Sequence, residues 1–252
     1  MSADLAGGGR RGTPVTAGLR RAVAAEWVKV YSVRSAVATL AMVPLLTVGI
    51  AVLVIVTGSL PPGETILAAG LGNAVPAQLV AGAFGAMLVA GEYGSGTIRP
   101  TLAAVPRRYL VLTAKALVAF LTVAVVALVA AGGAYLSGVL MADTARNPVG
   151  GVLPALPGFA VALGTVAMLG VAVGGLVRHP GAAVTAVTAI LLGPLLIGPL
   201  LGDAGSGLID ASPTAGLQKL ADSGAWPTLA LITGYSLALL AVATVALHRR
   251  DA

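Results

Sequence analysis

Long apolar runs separated by short polar segments dominate the sequence, and six of these runs are long enough to cross a lipid bilayer. A membrane-spanning helix requires about 20 mainly apolar residues. The pattern therefore predicts an all-α polytopic membrane protein with six transmembrane helices. The predicted spans are Ser35 to Thr57, Ile66 to Ala90, Ala116 to Leu140, Pro157 to Val177, Gly181 to Leu201 and Pro227 to Leu247.

Prolines, glycines and polar side chains interrupt several spans. Pro44 predicts a kink in the first span. The second run is expected to form a kinked or partly unwound helix that is buried against protein, because it contains Asn73, Pro76 and Gln78. In the fourth span Pro157 is expected in the first turn, where proline is tolerated because that N–H would be unpaired.

The fifth span is predicted to bend or end early, because Gly193-Pro194 and Gly198-Pro199 fall in its outer half. In the outer loop 202–226, Pro213 to Leu220 predicts a short helix at the outer surface. Gly170 and Gly174 fit the small-residue spacing that lets spanning helices approach closely, although glycine is so common here that the match is weak.

A second kind of periodicity precedes the first span. Between Leu19 and Arg34, apolar residues recur at helical spacing and charged residues fall elsewhere, which predicts an amphipathic helix along the cytoplasmic membrane surface. The apolar positions are Leu19, Val23, Trp27 and Val30, and the charged ones are Arg20, Arg21, Glu26 and Lys29. The alternative is a polar extension of the first span. Residues 1–18 are interpreted as a disordered cytoplasmic tail.

The polar segment 91–108 lies between two apolar runs that contain no charge. It holds Glu92, Arg99, Arg107 and Arg108, and Lys115 follows close enough to the end of the third span for its side chain to snorkel. We expect this segment to be a cytoplasmic loop.

Composition excludes a soluble domain, because the chain is 58% hydrophobic and 10% charged and has a mean hydropathy of +0.98. In such a chain the formal net charge of +6 does not indicate nucleic-acid binding, and the placement of the positive residues instead indicates the membrane topology. With both termini in the cytoplasm, all Lys and Arg residues except Arg146 and Lys219 fall on the inner side, as the positive-inside rule requires.

Groups for catalysis are missing from the predicted spans. They contain no Asp, Glu, Arg or His, and the chain has no Cys and no Gly followed by Lys as in a phosphate-binding loop. His179 and His248 sit beside basic residues at inner helix ends and are interpreted as interfacial. The sequence therefore predicts no catalytic, metal-binding or cofactor-binding residue, and any nucleotide is expected to bind another chain.

Two segments resemble the membrane-spanning subunit of type-two ATP-binding cassette (ABC) transporters. The first is Glu26-Trp27-Val28-Lys29 followed by Ser32-Val33-Arg34-Ser35. The second is Gly91-Glu92-Tyr93-Gly94-Ser95-Gly96-Thr97-Ile98-Arg99 followed by Ala104-Val105-Pro106-Arg107-Arg108. The likeness extends to the whole chain, with a surface helix, six spans and a polar loop after the second span.

The resemblance implies a permease of the bacterial plasma membrane that pairs with a second copy or a similar permease and docks a cytoplasmic ABC ATPase. It implies that residues 91–108 couple to the ATPase, with a coupling helix that can begin only with Pro100 in its first turn. The coupling residues would be Glu92, Tyr93, Gly94, Ser95, Gly96, Thr97, Ile98, Arg99, Arg107 and Arg108, and the surface helix would contribute Glu26, Trp27, Lys29 and Arg34.

Three functions remain open from the sequence. The first is an ABC permease, with uncharged spans favouring export of amphiphilic or lipid-like molecules. The second is a non-transporting membrane anchor or regulatory protein, and the third is an ion-coupled secondary transporter, which usually needs ionisable groups within its spans. For Arg99, Arg107 and Arg108 the alternative role is to fix topology and bind anionic lipid head groups.

Overall fold

Every regular element in the described part of the chain is a helix. The computed structural model describes residues 15–98, 100–101, 108–149, 152–220 and 225–250. The helices are α1 (Val15–Ser32), α2 (Arg34–Val56), a π-helical turn (Ala68–Gly72), α3 (Val75–Ser95), α4 (Arg108–Met141), α5 (Val152–Val177), α6 (Pro180–Ile197), a 3-10 turn (Gly198–Leu201), α7 (Asp203–Asp210), α8 (Pro213–Gln218) and α9 (Ala225–Arg250).

Six of these helices are long and apolar enough to cross a membrane, namely α2, α3, α4, α5, α6 with its 3-10 turn, and α9. This confirms the prediction of an all-α polytopic protein. Helix α5 is central, because 83% of its most apolar stretch is buried, against 17% for α2. The outward faces of α2, α4 and α9 carry bulky aliphatic side chains, as expected for surfaces in contact with lipid.

Helices α3 and α5 pack backbone to backbone through small residues. A Cβ atom on Gly170 would overlap the carbonyl oxygen of Gly82, and one on Gly174 would lie 2.6 Å from the carbonyl oxygen of Ala86. The glycine spacing in the fourth span is therefore confirmed as a packing surface, and we call it the glycine seam. Close approach brings many atoms into van der Waals contact where no water is present to drive association.

The second span is broken as predicted, but it ends later. The π-helical turn stops at Gly72, and α3 starts at Val75 with Pro76 in its first turn, where its missing N–H costs nothing. Helix α3 then continues through Ser95, so the first five residues of the expected loop 91–108 are helical. Gly96 ends the helix with a φ of 74°, a left-handed conformation that favours glycine.

Two proline predictions have opposite outcomes. The fifth span changes to a 3-10 turn at Gly198, with Pro194 inside α6, as expected from the Gly-Pro pairs. The prediction for Pro157 is wrong, because α5 begins at Val152 and places this proline inside the helix. The apolar residues before Pro157 extend the helix by more than a turn.

The predicted helix after Pro213 exists, but its surface location is wrong. Residues 213–217 of α8 are all buried. Hydrogen bonds offset the cost of burying its polar groups. The Ser212 hydroxyl accepts a hydrogen bond from the Ala215 N–H at 3.1 Å, and the Thr214 hydroxyl donates one to the Leu191 carbonyl at 2.9 Å. Helix α8 thus closes the outer end of the bundle from within.

Candidate functional site

Four charged side chains from three helices meet at the end of the bundle where α1 lies, which we call the inner end. Lys115 Nζ of α4 donates to Glu26 Oε2 of α1 at 2.6 Å and to Glu92 Oε1 of α3 at 2.7 Å. Lys29 Nζ of α1 donates to Glu26 Oε1 at 2.7 Å and to Glu92 Oε1 at 2.8 Å. We call these four residues the charge cluster.

The four side chains differ in their contact with solvent. Lys115 is 1% exposed, Glu26 6% and Glu92 13%, whereas Lys29 is 41% exposed. Burying a charge costs several kcal/mol, and close oppositely charged partners offset that cost only when the geometry is good. The cluster places two ammonium groups within 2.8 Å of two carboxylates and is neutral overall. These pairs offset most of the cost, although both lysines bind Glu92 through Oε1 and its buried Oε2 accepts no hydrogen bond from the described residues.

Helical register explains how α1 supplies Glu26. Ala22, Glu26 and Val30 are spaced four residues apart and are all buried, so they form the inward face of α1. Leu19, Val23 and Trp27 flank this face and are half-buried. The periodicity set Glu26 apart from the apolar positions of α1, yet it is buried on the inward face, because Lys115 supplies a partner that makes its burial favourable.

Lys115 also departs from its predicted behaviour. Helix α4 starts at Arg108, eight residues before the predicted third span, so Lys115 lies two turns inside the helix and is not at its end. Its ammonium group turns inward to the two carboxylates and does not snorkel to the surface. The sequence indicated the charge but gave no sign of partners that lie 89 and 23 residues away.

The pKa of Lys29 is raised above its ordinary value. Burial by itself lowers the pKa of this ammonium group, but the hydrogen bonds and charges of Glu26 and Glu92 raise it by more. Lys29 therefore stays charged at physiological pH and keeps both carboxylates partnered.

A cleft opens beside the charge cluster, between the α1–α2 junction and α3. Its volume is about 570 Å³, within the range typical of ligand sites. The charge cluster lines one end, and the walls toward the middle of the bundle are mainly apolar, including Ala83, Phe84 and Met87 of α3.

A second contact joins α3 to the turn between α5 and α6 at the same inner end. The guanidinium of Arg178 lies 5.2 Å from the ring centroid of Tyr93, a cation–π geometry. His179 is the N-cap of α6, with its Nδ1 accepting a hydrogen bond from the Ala182 N–H at 3.3 Å. His179 therefore lies at a helix end, as the sequence predicts, in a two-residue connection between α5 and α6.

The resemblance-based coupling residues fall in several structural elements. Glu92, Tyr93, Gly94 and Ser95 belong to the last turn of α3, Gly96 and Thr97 form a turn, and Ile98 is helical with Pro100 and Thr101. This places Pro100 in a first helical turn, as expected. Arg99 and Arg107 lie outside the described residues, and Arg108 begins α4.

The surface-helix residues are also divided. Helix α1 begins at Val15 and ends at Ser32, so Arg34 opens α2 instead of closing α1. Trp27 is half-buried and stacks edge to face with Tyr31 at 5.6 Å between ring centroids. Residues 1–14 of the expected tail lie outside the described residues, and residues 15–18 are helical.

The comparisons with known proteins give no family for the chain. No protein-family model matches it, and no curated protein matches it. Within the described ranges no group of His, Cys, Asp and Glu could hold a metal ion.

Proposed function

We propose that the chain is the membrane-spanning permease subunit of an ABC transporter, powered by ATP hydrolysis on a separate ATPase subunit. In this proposal it pairs with a second permease in a bacterial plasma membrane and exports amphiphilic or lipid-like molecules. The observation that carries the proposal is the charge cluster, because it joins the elements through which the ATPase would act.

The cluster supports coupling through its position in the chain. Glu26 and Lys29 lie on α1, and Glu92 lies four residues before the turn at Gly96 that opens the proposed ATPase-contacting segment. Lys115 anchors both carboxylates to α4, a span of 34 residues. Force applied to α1 or to the segment after α3 would therefore reach α4 through ion pairs and not through a flexible loop.

The cost of the cluster gives a second argument. An apolar side chain at position 115 would pack without any desolvation penalty. A buried ammonium group in so apolar a chain therefore points to a functional role for Lys115. Glu92 and Glu26 pair within the chain, so they would contribute as positioning residues behind the docking surface. The docking charges themselves would then come from the segment 96–108.

The test reconstitutes the tagged full chain with an ABC ATPase that co-purifies with it, and measures ATP hydrolysis and export of a fluorescent amphiphile. Glu92→Gln should leave membrane insertion intact but reduce chain-stimulated hydrolysis and export by about tenfold or more, since truncating one partner of a buried charge pair costs about 2 to 5 kcal/mol. Glu64→Gln, an exposed carboxylate at the other end of the bundle, is the matched control and should behave as wild type.

The outcomes separate the competing functions. If the ATPase binds but no amphiphile moves in wild type, the chain is an anchor or regulator. If export proceeds without ATPase and depends on an ion gradient, the secondary-transporter alternative replaces the proposal. Wild-type hydrolysis and export in Glu92→Gln would remove the charge cluster from the mechanism.

A further inference from the structure

We propose that the cleft beside the charge cluster binds one anionic phospholipid from the inner leaflet, with its head at Lys29 and an acyl chain along α3. The proposal rests on the proposed transport function in one respect, namely that the bound lipid represents the class of molecule that the protein exports. Binding itself is a property of the chain alone.

The cleft is polar at one end and apolar at the other, as a lipid is polar at its head and apolar along its chain. At the inner end it is lined by Lys29, Ser95, Thr97 and Thr101, and further in by Phe84 and Met87. From Glu92 to Ala83, α3 rises by roughly 13 Å, from the charged end of the cleft to the apolar one. A head group at the inner end would thus place its chain against apolar walls.

Exposure decides the sign of the head group. All four charges of the cluster line the cleft, but the carboxylates and Lys115 are largely buried, whereas Lys29 is 41% exposed. Two of the three Nζ hydrogens of Lys29 are donated to Glu26 and Glu92, which leaves the third for a ligand. The accessible charge in the cleft is therefore positive.

A second cation is adjacent to the cleft in the chain, although its own side chain does not line it. Arg34 is exposed between Val33 and Ser35, which both line the cleft. Lys29 and Arg34 together favour a phosphate-containing head over a neutral one, since each basic group near a membrane surface contributes attraction worth about a fivefold change in affinity.

The cleft is open at the side, so a lipid can enter without leaving the bilayer. Met87 on its wall and Val33 at its mouth are both about half exposed. The 570 Å³ volume accommodates the head and the first part of one chain. The rest of the lipid would stay among its neighbours in the membrane.

The test measures lipid binding to the delipidated full chain in detergent by native mass spectrometry, without any ATPase. The probes are phosphatidylglycerol and phosphatidylcholine with identical acyl chains, and soluble glycerol phosphate. Wild type should bind phosphatidylglycerol at least about fivefold more tightly than phosphatidylcholine. Lys29→Gln should lower this preference by about fivefold.

Steric block separates the cleft from general surface charge. Ala83→Trp fills the apolar wall without changing any charge and should abolish tight binding of phosphatidylglycerol. Ala124→Trp, also at a half-buried alanine but on α4 away from the cleft, is the matched control and should bind as wild type.

Three results would overturn the proposal. They are equal binding of the two lipids to wild type, tight binding of phosphatidylglycerol to Ala83→Trp, and undiminished preference in Lys29→Gln. Glycerol phosphate binding as tightly as the lipid would replace it with a simple anion site. Because the ATPase is absent, none of these results bears on ATPase coupling, so failure here and failure of the proposed function are distinguishable.

Discussion

The two ends of the helix bundle are held together by different chemistry. At the inner end, α1, α3 and α4 meet through ion pairs of 2.6 to 2.8 Å. At the outer end the loops between spans meet through neutral groups: the Asn147 side-chain amide donates to the Pro61 carbonyl at 2.8 Å and to the Glu64 carbonyl at 3.0 Å. Both ends are polar, but among the described residues buried charge is found at the inner end alone.

The difference indicates at which end the loss of a single side chain costs more stability. A neutral hydrogen bond that is lost near a surface is largely replaced by water, whereas a buried ion that loses its partner has no substitute. The inner end is therefore the more sensitive to a single substitution, and it is also the end from which the proposed ATPase would act. Substitutions at each end test this contrast.

The largest expected effect is that of Lys115→Met, which leaves Glu26 and Glu92 with only Lys29 as a partner. Breaking a buried pair from one side costs about 3 to 5 kcal/mol. The free energy of unfolding in mixed micelles should fall by this amount. Lys219→Met is the matched control at the exposed Lys219–Asp210 pair, where the loss should be at most about 1 kcal/mol.

Removal of the whole cluster sharpens this prediction. A variant with Lys115→Met, Glu26→Gln and Glu92→Gln has no unpartnered buried charge, so it should recover most of the stability lost in Lys115→Met. It should nevertheless remain defective in ATPase-coupled export. Equal stability of the single and triple variants would mean that packing of the lysine stem, and not charge pairing, holds the inner end.

A smaller effect is expected midway between the ends, at the glycine seam. Gly170→Ala would force α3 and α5 apart and should destabilise the protein by about 1 to 3 kcal/mol, the usual cost of overpacking. Gly132→Ala on α4, where the added methyl meets open space, should be neutral or stabilising. Similar losses in both would indicate that glycine content, and not close approach, matters.

The sequence predicts the spans better than it predicts the clusters between them. Apolar runs set the number and approximate position of the helices, because a bilayer requires about 20 apolar residues whatever their neighbours. Helix ends are less predictable: Glu92 was expected in a loop and Lys115 at the border of the third span, yet both are inside helices, since ion pairs compensate their burial. The burial of Glu26 could not be predicted for the same reason, because its partner at position 115 leaves no periodic signal near position 26.

The outer end should yield a modest loss. Asn147→Ala removes the two side-chain hydrogen bonds between the outer loops and leaves the backbone bonds from the Gly63 and Ile66 N–H groups to the carbonyls of Arg146 and Pro148. Water can also reach the exposed residues Pro61 and Glu64, so the expected cost is about 1 kcal/mol. Asn73→Ala, at an exposed amide with two 3.3 Å bonds, is the control and should cost less. A loss at Asn147 as large as that of Lys115→Met would erase the contrast between the ends.

The smallest effect is a pH dependence at Lys29, the exposed member of the charge cluster. Its pKa in the folded chain lies above the ordinary 10.5, so its stabilising contribution is fully present below about pH 10.5 and is lost as the pH rises through the folded pKa. The difference in unfolding free energy between wild type and Lys29→Gln should therefore be constant from pH 7 to 10 and shrink above that. Its size should be below about 1 kcal/mol, because solvent screens a side chain that is 41% exposed. Arg20→Gln is the control: it removes an exposed basic side chain of α1 outside the charge cluster, so the corresponding difference should not vary with pH. A difference at Lys29 that persisted unchanged to pH 12 would show that its methylene stem, and not its ammonium group, supports the inner end.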